Sequence, residues 1–149
     1  MTLEEQRAHV QAFFRTAHTR FSENGLTLIT LKGADYAPER IPMTEAFFAA
    51  AELGVDVPHI LWVHCRKHMS AIARWMSHGH LNSEDMRSRL LDVANYMALI
   101  DSYLNDPMEW LNHLEQLIRL EEFPNRIPEE LDMLAQWVII QKNKIHQAD

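Results

Sequence analysis

A chain of 149 residues with 47% hydrophobic and 23% charged side chains is long enough to enclose one core, and its composition excludes disordered, collagen-like and low-complexity classes. The formal charge of −7 works against generic binding to duplex nucleic acid, which needs a concentrated basic surface. A single cysteine, Cys65, excludes an intramolecular disulfide and a CxxC zinc pair, and no apolar run reaches the ~20 residues of a membrane span. These features describe a soluble cytoplasmic protein with one domain over residues 1–149.

With four glycines and with prolines placed at helix starts, the expected fold is all-α, a compact bundle of about five to six helices with one extended loop or short strand near residues 26–40. The first helix runs from Thr2 or Leu3 to about Ser22, with Val10, Phe13, Phe14, Ala17 and Phe21 at helical spacing, and "ENG" ends it at Gly25. "LTLITL", residues 26–31, is β-prone and reads as a short strand or connector. "LKGADYAPER", residues 31–40, follows as a loop, because Gly33 and Pro38 interrupt a helix and free backbone amides. The second helix covers about 43–53, with Thr44 as cap, Phe47, Phe48 and Ala51 on its apolar side and Gly54 as the C′ residue.

The third helix begins near Pro58 and ends near "SHGH". The fourth is capped by Asn82 or Ser83, carries Glu84 and Asp85 at its positive end, and presents Met86, Leu90, Val93, Met97, Ile100 and Leu104 as a seven-residue repeat ending at Asn105. Asp106 and Pro107 start the fifth, which carries Trp110, Leu111, Leu114, Leu117 and Ile118. "IPEE" starts the sixth, from about 128 to 145, which contains Leu131, Leu134, Ala135, Val138 and Ile139.

On the third helix, Leu61, Cys65, His68, Ile72 and Trp75 form one stripe, so His68 sits in the middle of an apolar face and needs a polar partner there. His64 and His68 have zinc-compatible spacing, but no HExxH pattern and no third ligand accompany them, so a satisfied core histidine is the better reading. On the fourth helix Asp85, Asp92, Tyr96 and Leu99 flank the apolar seam, with Asn95 farther out. Asp92 is too far along the helix to cap it or to meet its positive end. It can accept from His68, Lys32 or Arg74, or hold a divalent cation; a plain inter-helix contact stands equally beside those roles. In the loop, Lys32, Asp35 and Tyr36 can converge on an anionic or aromatic ligand, or remain solvated surface residues.

Taken in order, "KGADYA", "EAFFAAAELGV", "ILWVHCRKHMSAIAR" and "SEDMRSRLLDVANYMALI" resemble small phage and bacterial nucleotide-modification-associated proteins grouped with the MazG-like all-α nucleoside triphosphate pyrophosphohydrolases, over residues 31–104. The resemblance implies a helical, oligomeric protein in which acidic residues hold Mg2+ and a nucleotide binds among helices. It points to Lys32, Asp35, Tyr36, Lys67, Asn95 and Tyr96 as ligand contacts and to Asp92 and Glu84 as the acidic residues; His68, from its place on the third helix, joins the ligand contacts, and an enzyme would use Asp92 and Glu84 in catalysis and Asp92, Glu84 and Glu45 as metal ligands. If the chain is phage-encoded, its place is the host cytoplasm.

The second to fourth helices carry no ExxE or ExxD pair, and Ser88 stands four positions before Asp92 where the resemblance leads one to expect an acid. Two functions therefore stand. One is Mg-dependent cleavage of a nucleoside triphosphate between the α and β phosphates; the other is non-catalytic sequestration of a nucleotide or nucleotide-derived signal. A helical interaction module is the third possibility, and a homo-oligomer is expected in each case.

Overall fold

The computed structural model describes residues 1–36, 44–79, 85–120, 123 and 125–148, with the side chains of 28–36 and of Thr44 outside that description. Six helices form the described chain: α1 (Leu3–Tyr36), α2 (Thr44–Leu53), α3 (Val57–His78), α4 (Met86–Asn105), α5 (Pro107–Arg119) and α6 (Pro128–Ala148). No strand occurs among the described residues, and none of their helices is by itself long and apolar enough to cross a membrane. The all-α bundle expected from the sequence is the observed class.

The helix starts follow local chemistry. Thr2 and Glu5 form a reciprocal capping box, with Glu5 N–H donating to Thr2 Oγ1 at 3.1 Å and Thr2 N–H donating to Glu5 Oε2 at 2.7 Å. Pro58 stands in the first turn of α3, and α3 ends at Gly79, whose φ of 76° places it in the left-handed region that favours glycine. Asp106 accepts from Glu109 N–H at 3.0 Å, with Pro107 as the first residue of α5.

Two expectations are corrected. First, α1 does not stop at Gly25: it continues through "LTLITL" and on to Tyr36, so the strand or connector over 26–31 and the loop from 31 to 36 are helix. Gly25 serves packing here. Its carbonyl accepts from Asn95 Nδ2 at 3.0 Å, and a Cβ in its place would lie 3.0 Å from Asn95 Oδ1. The close approach to α4 offsets the cost of about 1 kcal/mol for an interior glycine. Thr27 is accommodated by donating its hydroxyl to the Glu23 carbonyl at 3.0 Å.

Second, α4 is capped by Asp85, which accepts from Ser88 N–H at 2.7 Å, and starts later than Asn82 or Ser83 would place it. That backbone hydrogen bond also holds the Asp85 carboxyl below its ordinary range. The α4 repeat is mostly not the buried side: Leu90, Met97 and Leu104 are exposed, while Leu91, Asp92 and Tyr103 are buried. The flank is buried because α4 lies between α3, α1 and α5, and these neighbours cover the Leu91 to Tyr103 side. On α6 the inward residues are Leu134, Trp137, Val138 and Gln141, with Ile139 exposed.

The core centres on the short helix α2. Phe47 is fully buried and meets Tyr103 of α4, Trp110 of α5 and Trp137 of α6 at ring-centroid distances of 6.4, 5.9 and 6.1 Å. Burying one phenylalanine contributes roughly 2–3 kcal/mol, and each aromatic pair adds about 0.5–1.5 kcal/mol. The two tryptophans also satisfy their indole N–H groups, on Ser102 Oγ at 2.9 Å and on the Val55 carbonyl at 3.2 Å. Phe48 packs edge-on against Phe123 at 5.4 Å and carries the Arg126 guanidinium 4.0 Å above its ring.

Candidate functional site

The α3–α4 contact is the most extensive among the described helices, and it is where Asp92, a buried charged residue, enters the interior. The α3 stripe behaves as its spacing implies: Leu61 and Cys65 are buried, and Ile72 and Trp75 are half-buried. Burial pushes the Cys65 thiol up, so it remains protonated. One turn later the His68 side chain is 12% exposed and lies 3.4 Å, Nδ1 to Oδ2, from Asp92 of α4. Of the partners open to His68 and Asp92 in the sequence, the structure brings these two together.

Arg89 completes the group and was not singled out in the sequence. Its NH1 lies 2.9 Å from His68 Nδ1. A guanidinium has only donors, so Nδ1 accepts, and the neutral ring carries its proton on Nε2. The same nitrogen cannot then donate to Asp92, and the 3.4 Å contact brings the carboxylate against the imidazole without a hydrogen bond from that nitrogen. Arg89, Asp92 and Tyr96 stand at i, i+3 and i+7 on α4, which places them on one side of the helix facing α3. That spacing, with a cation and an anion beside a tyrosine, was the available signal for Arg89.

Tyr96 closes the site with aromatic surface. Its ring stacks on His64 at 6.2 Å with 16° between planes, and on His68 at 5.6 Å with 30°. His64 is exposed, so the ring stack begins at the surface and leads inward to the His68, Arg89 and Asp92 group. The arrangement offers a flat aromatic wall, a guanidinium and a carboxylate within a few residues of one another, which is a donor, an acceptor and a stacking platform.

The other candidate residues fall elsewhere. Asn95 turns to α1, where it holds the Gly25 carbonyl. Lys67 is exposed, one residue before His68 and therefore about 100° around α3 from it. Glu45 is exposed at the start of α2 and is bound by Arg126, which also donates to Glu130 Oε2 at 2.8 Å. The backbone at Lys32, Asp35 and Tyr36 belongs to α1, but their side chains lie outside the described residues, as does Glu84. Among the described residues, no group of three or more His, Cys, Asp or Glu side chains is placed to hold a metal ion. Comparison of the chain with protein-family profiles, with curated proteins and with solved structures returns no match, so its functional reading rests on the α3–α4 residues themselves.

Proposed function

We propose that the chain is a nucleotide-handling protein that binds a nucleotide or nucleotide-derived small molecule at the α3–α4 face. The observation that carries this reading is the His64, Tyr96 and His68 ring stack running up to Arg89. A nucleobase extends the stack from the exposed His64 edge, and Arg89 supplies charge for phosphate, while the buried Asp92 lies behind the stack against His68. Binding, without turnover, is the primary reading: Asp92 lies against an imidazole and Glu45 is engaged by Arg126, so the two described carboxylates assigned to the metal are both used in protein contacts.

Mg-dependent pyrophosphohydrolysis is the second reading, supported by the burial of Asp92 mid-helix and by the resemblance of residues 31–104 to the MazG-like enzymes. In it Asp92 and Glu84 serve the metal and the attacking water, and Lys32 and Lys67 the phosphates. One experiment separates the two. The purified protein is screened by thermal shift against nucleoside mono-, di- and triphosphates with and without Mg2+, and recovered nucleotides are analysed for cleavage. Metal-independent stabilisation by an intact nucleotide, lost in Arg89→Ala and Tyr96→Ala, supports binding. Mg-dependent release of pyrophosphate, lost in Asp92→Asn, supports hydrolysis. No stabilisation and no cleavage with any nucleotide refutes both.

A further inference from the structure

The first half of α1 has an apolar stripe, interrupted at Arg7, that none of the described residues covers. Every side chain from residue 1 to residue 23 is exposed, and the helix first becomes buried at Gly25, where it meets α4. Along this stretch Leu3, Val10, Phe14, Ala17 and Phe21 recur with alternating steps of three and four once Arg7 is counted, the spacing of a coiled-coil seam. Val10, Phe13 and Phe14 are 51%, 67% and 57% exposed. The stripe on α4 differs, because Val93 and Ile100 of that repeat are half-buried and Ile100 packs against the core. Helices in proteins take most of their stability from packing an apolar face, so a bare Phe-rich stretch calls for a partner.

We propose that this stretch is a dimerisation element, in which Leu3–Phe21 of α1 packs antiparallel against the same segment of a second copy. Charge permits a second copy as the partner and favours one direction. Residues 1–23 carry Glu4, Glu5 and Glu23 against Arg7, Arg15 and Arg20, so this segment is neutral while the chain as a whole is at −7, and two copies meet here without net repulsion. In a parallel pair Arg7 faces Arg7 across the seam. In the antiparallel pair the layers are Leu3 with Phe21, Arg7 with Ala17, and Val10 with Phe14, each occurring twice by symmetry. Arg7 then extends over a small residue, and Glu4 lies along the same flank as the second copy's His18 and Arg15. The two helices overlap over about 27 Å.

Sedimentation equilibrium of the full chain at micromolar concentration tests the proposal. The expected result is twice the 17.4 kDa chain mass, falling to one chain in Val10→Glu and in Phe14→Glu with the melting of the α2 to α6 core unchanged. Direction is read by mild oxidation of single-cysteine additions, with the parent and its buried Cys65 as control. Gln11→Cys, near the centre of the antiparallel overlap, forms a disulfide-linked dimer, and Leu3→Cys, at its far end, does not. A monomeric parent, a dimer that survives both glutamate substitutions, or linkage through Leu3→Cys in place of Gln11→Cys overturns it. So does a monomer that sediments with anionic lipid vesicles through this stripe, which would assign the stripe to a membrane surface.

Discussion

Replacing Gly25 with alanine distinguishes a packing glycine from a helix-ending one. In the structure a Cβ at this position meets Asn95 Oδ1 at 3.0 Å, Asn95 Cγ at 3.8 Å and Leu91 Cδ2 at 3.9 Å. Alanine gains about 1 kcal/mol of helix propensity. Against this, Asn95 must turn away, forfeiting its hydrogen bond to the Gly25 carbonyl, worth about 1 kcal/mol, and adopting a poorer rotamer at a cost of about 1 kcal/mol. The net expectation is a loss of about 1 kcal/mol, or a melting temperature lower by roughly 3 °C. With Asn95→Ala already in place there is nothing to displace, and Gly25→Ala becomes stabilising by about 1 kcal/mol. The double-mutant cycle, measured by urea denaturation and by hydrogen exchange of the α1 amides, should therefore show a coupling of about 2 kcal/mol. A glycine that ended the helix in the left-handed conformation would lose stability on becoming alanine in both backgrounds. That outcome, or an absence of coupling, refutes the continuous α1 and its contact with Asn95.

Phe47→Ala should cost about 3–5 kcal/mol in urea denaturation, because Phe47 touches rings from three other helices, and a cost below 1 kcal/mol would contradict the central place given to α2. Tyr103, pushed up to about 12 by burial and then by the Asp56 charge, should ionise later than an ordinary tyrosine in an ultraviolet titration; since its folded value is raised, its share of stability is complete below pH ~10 and falls as pH rises towards that value. The hydrogen bond from Lys142, 2.7 Å away, holds the Glu115 carboxyl below its usual range, so the α5–α6 link is at full strength above pH ~4.5 and weakens as pH falls through the lowered value. Lys142→Met should flatten that acid-side loss, and the effect at neutral pH should stay within about 1 kcal/mol because half-exposed pairs are screened.

Local signals were legible wherever one residue decides an event. Pro58, Pro107 and Pro128 marked three helix starts, and Gly54 and Gly79 have the positive φ expected of helix-ending glycines. Gly25 looked the same in sequence, yet its role depends on Asn95, seventy positions away, which no local rule can see. The β-prone run after it was overridden in the same way, since propensity differences among Thr, Leu and Ile are small beside tertiary packing. On α4, the seven-residue repeat identified an apolar stripe correctly but not which side its neighbours cover.

The site was half legible for a related reason. The place of His68 on an apolar face called for a polar partner, and Asp92 on the flank of the next helix was among those named. Arg89 carries no such signal by itself, because a cation near a helix start reads as solvated surface until the facing helix is known. Lys67 and Asn95, drawn from the resemblance, turn to solvent and to α1 respectively.

The Phe47 cluster also sets an order of events during synthesis. Tyr103, Trp110 and Trp137 all come from the last third of the chain, so α2 leaves the ribosome well before any ring that covers it has been made. Until the segments from α4 onward dock, Phe47 and Phe48 lack their aromatic partners on a nascent helix too short to persist alone. The core therefore closes late and from the C-terminal side, and a chain stalled before Trp137 is a natural substrate for chaperones that recognise exposed aromatic segments.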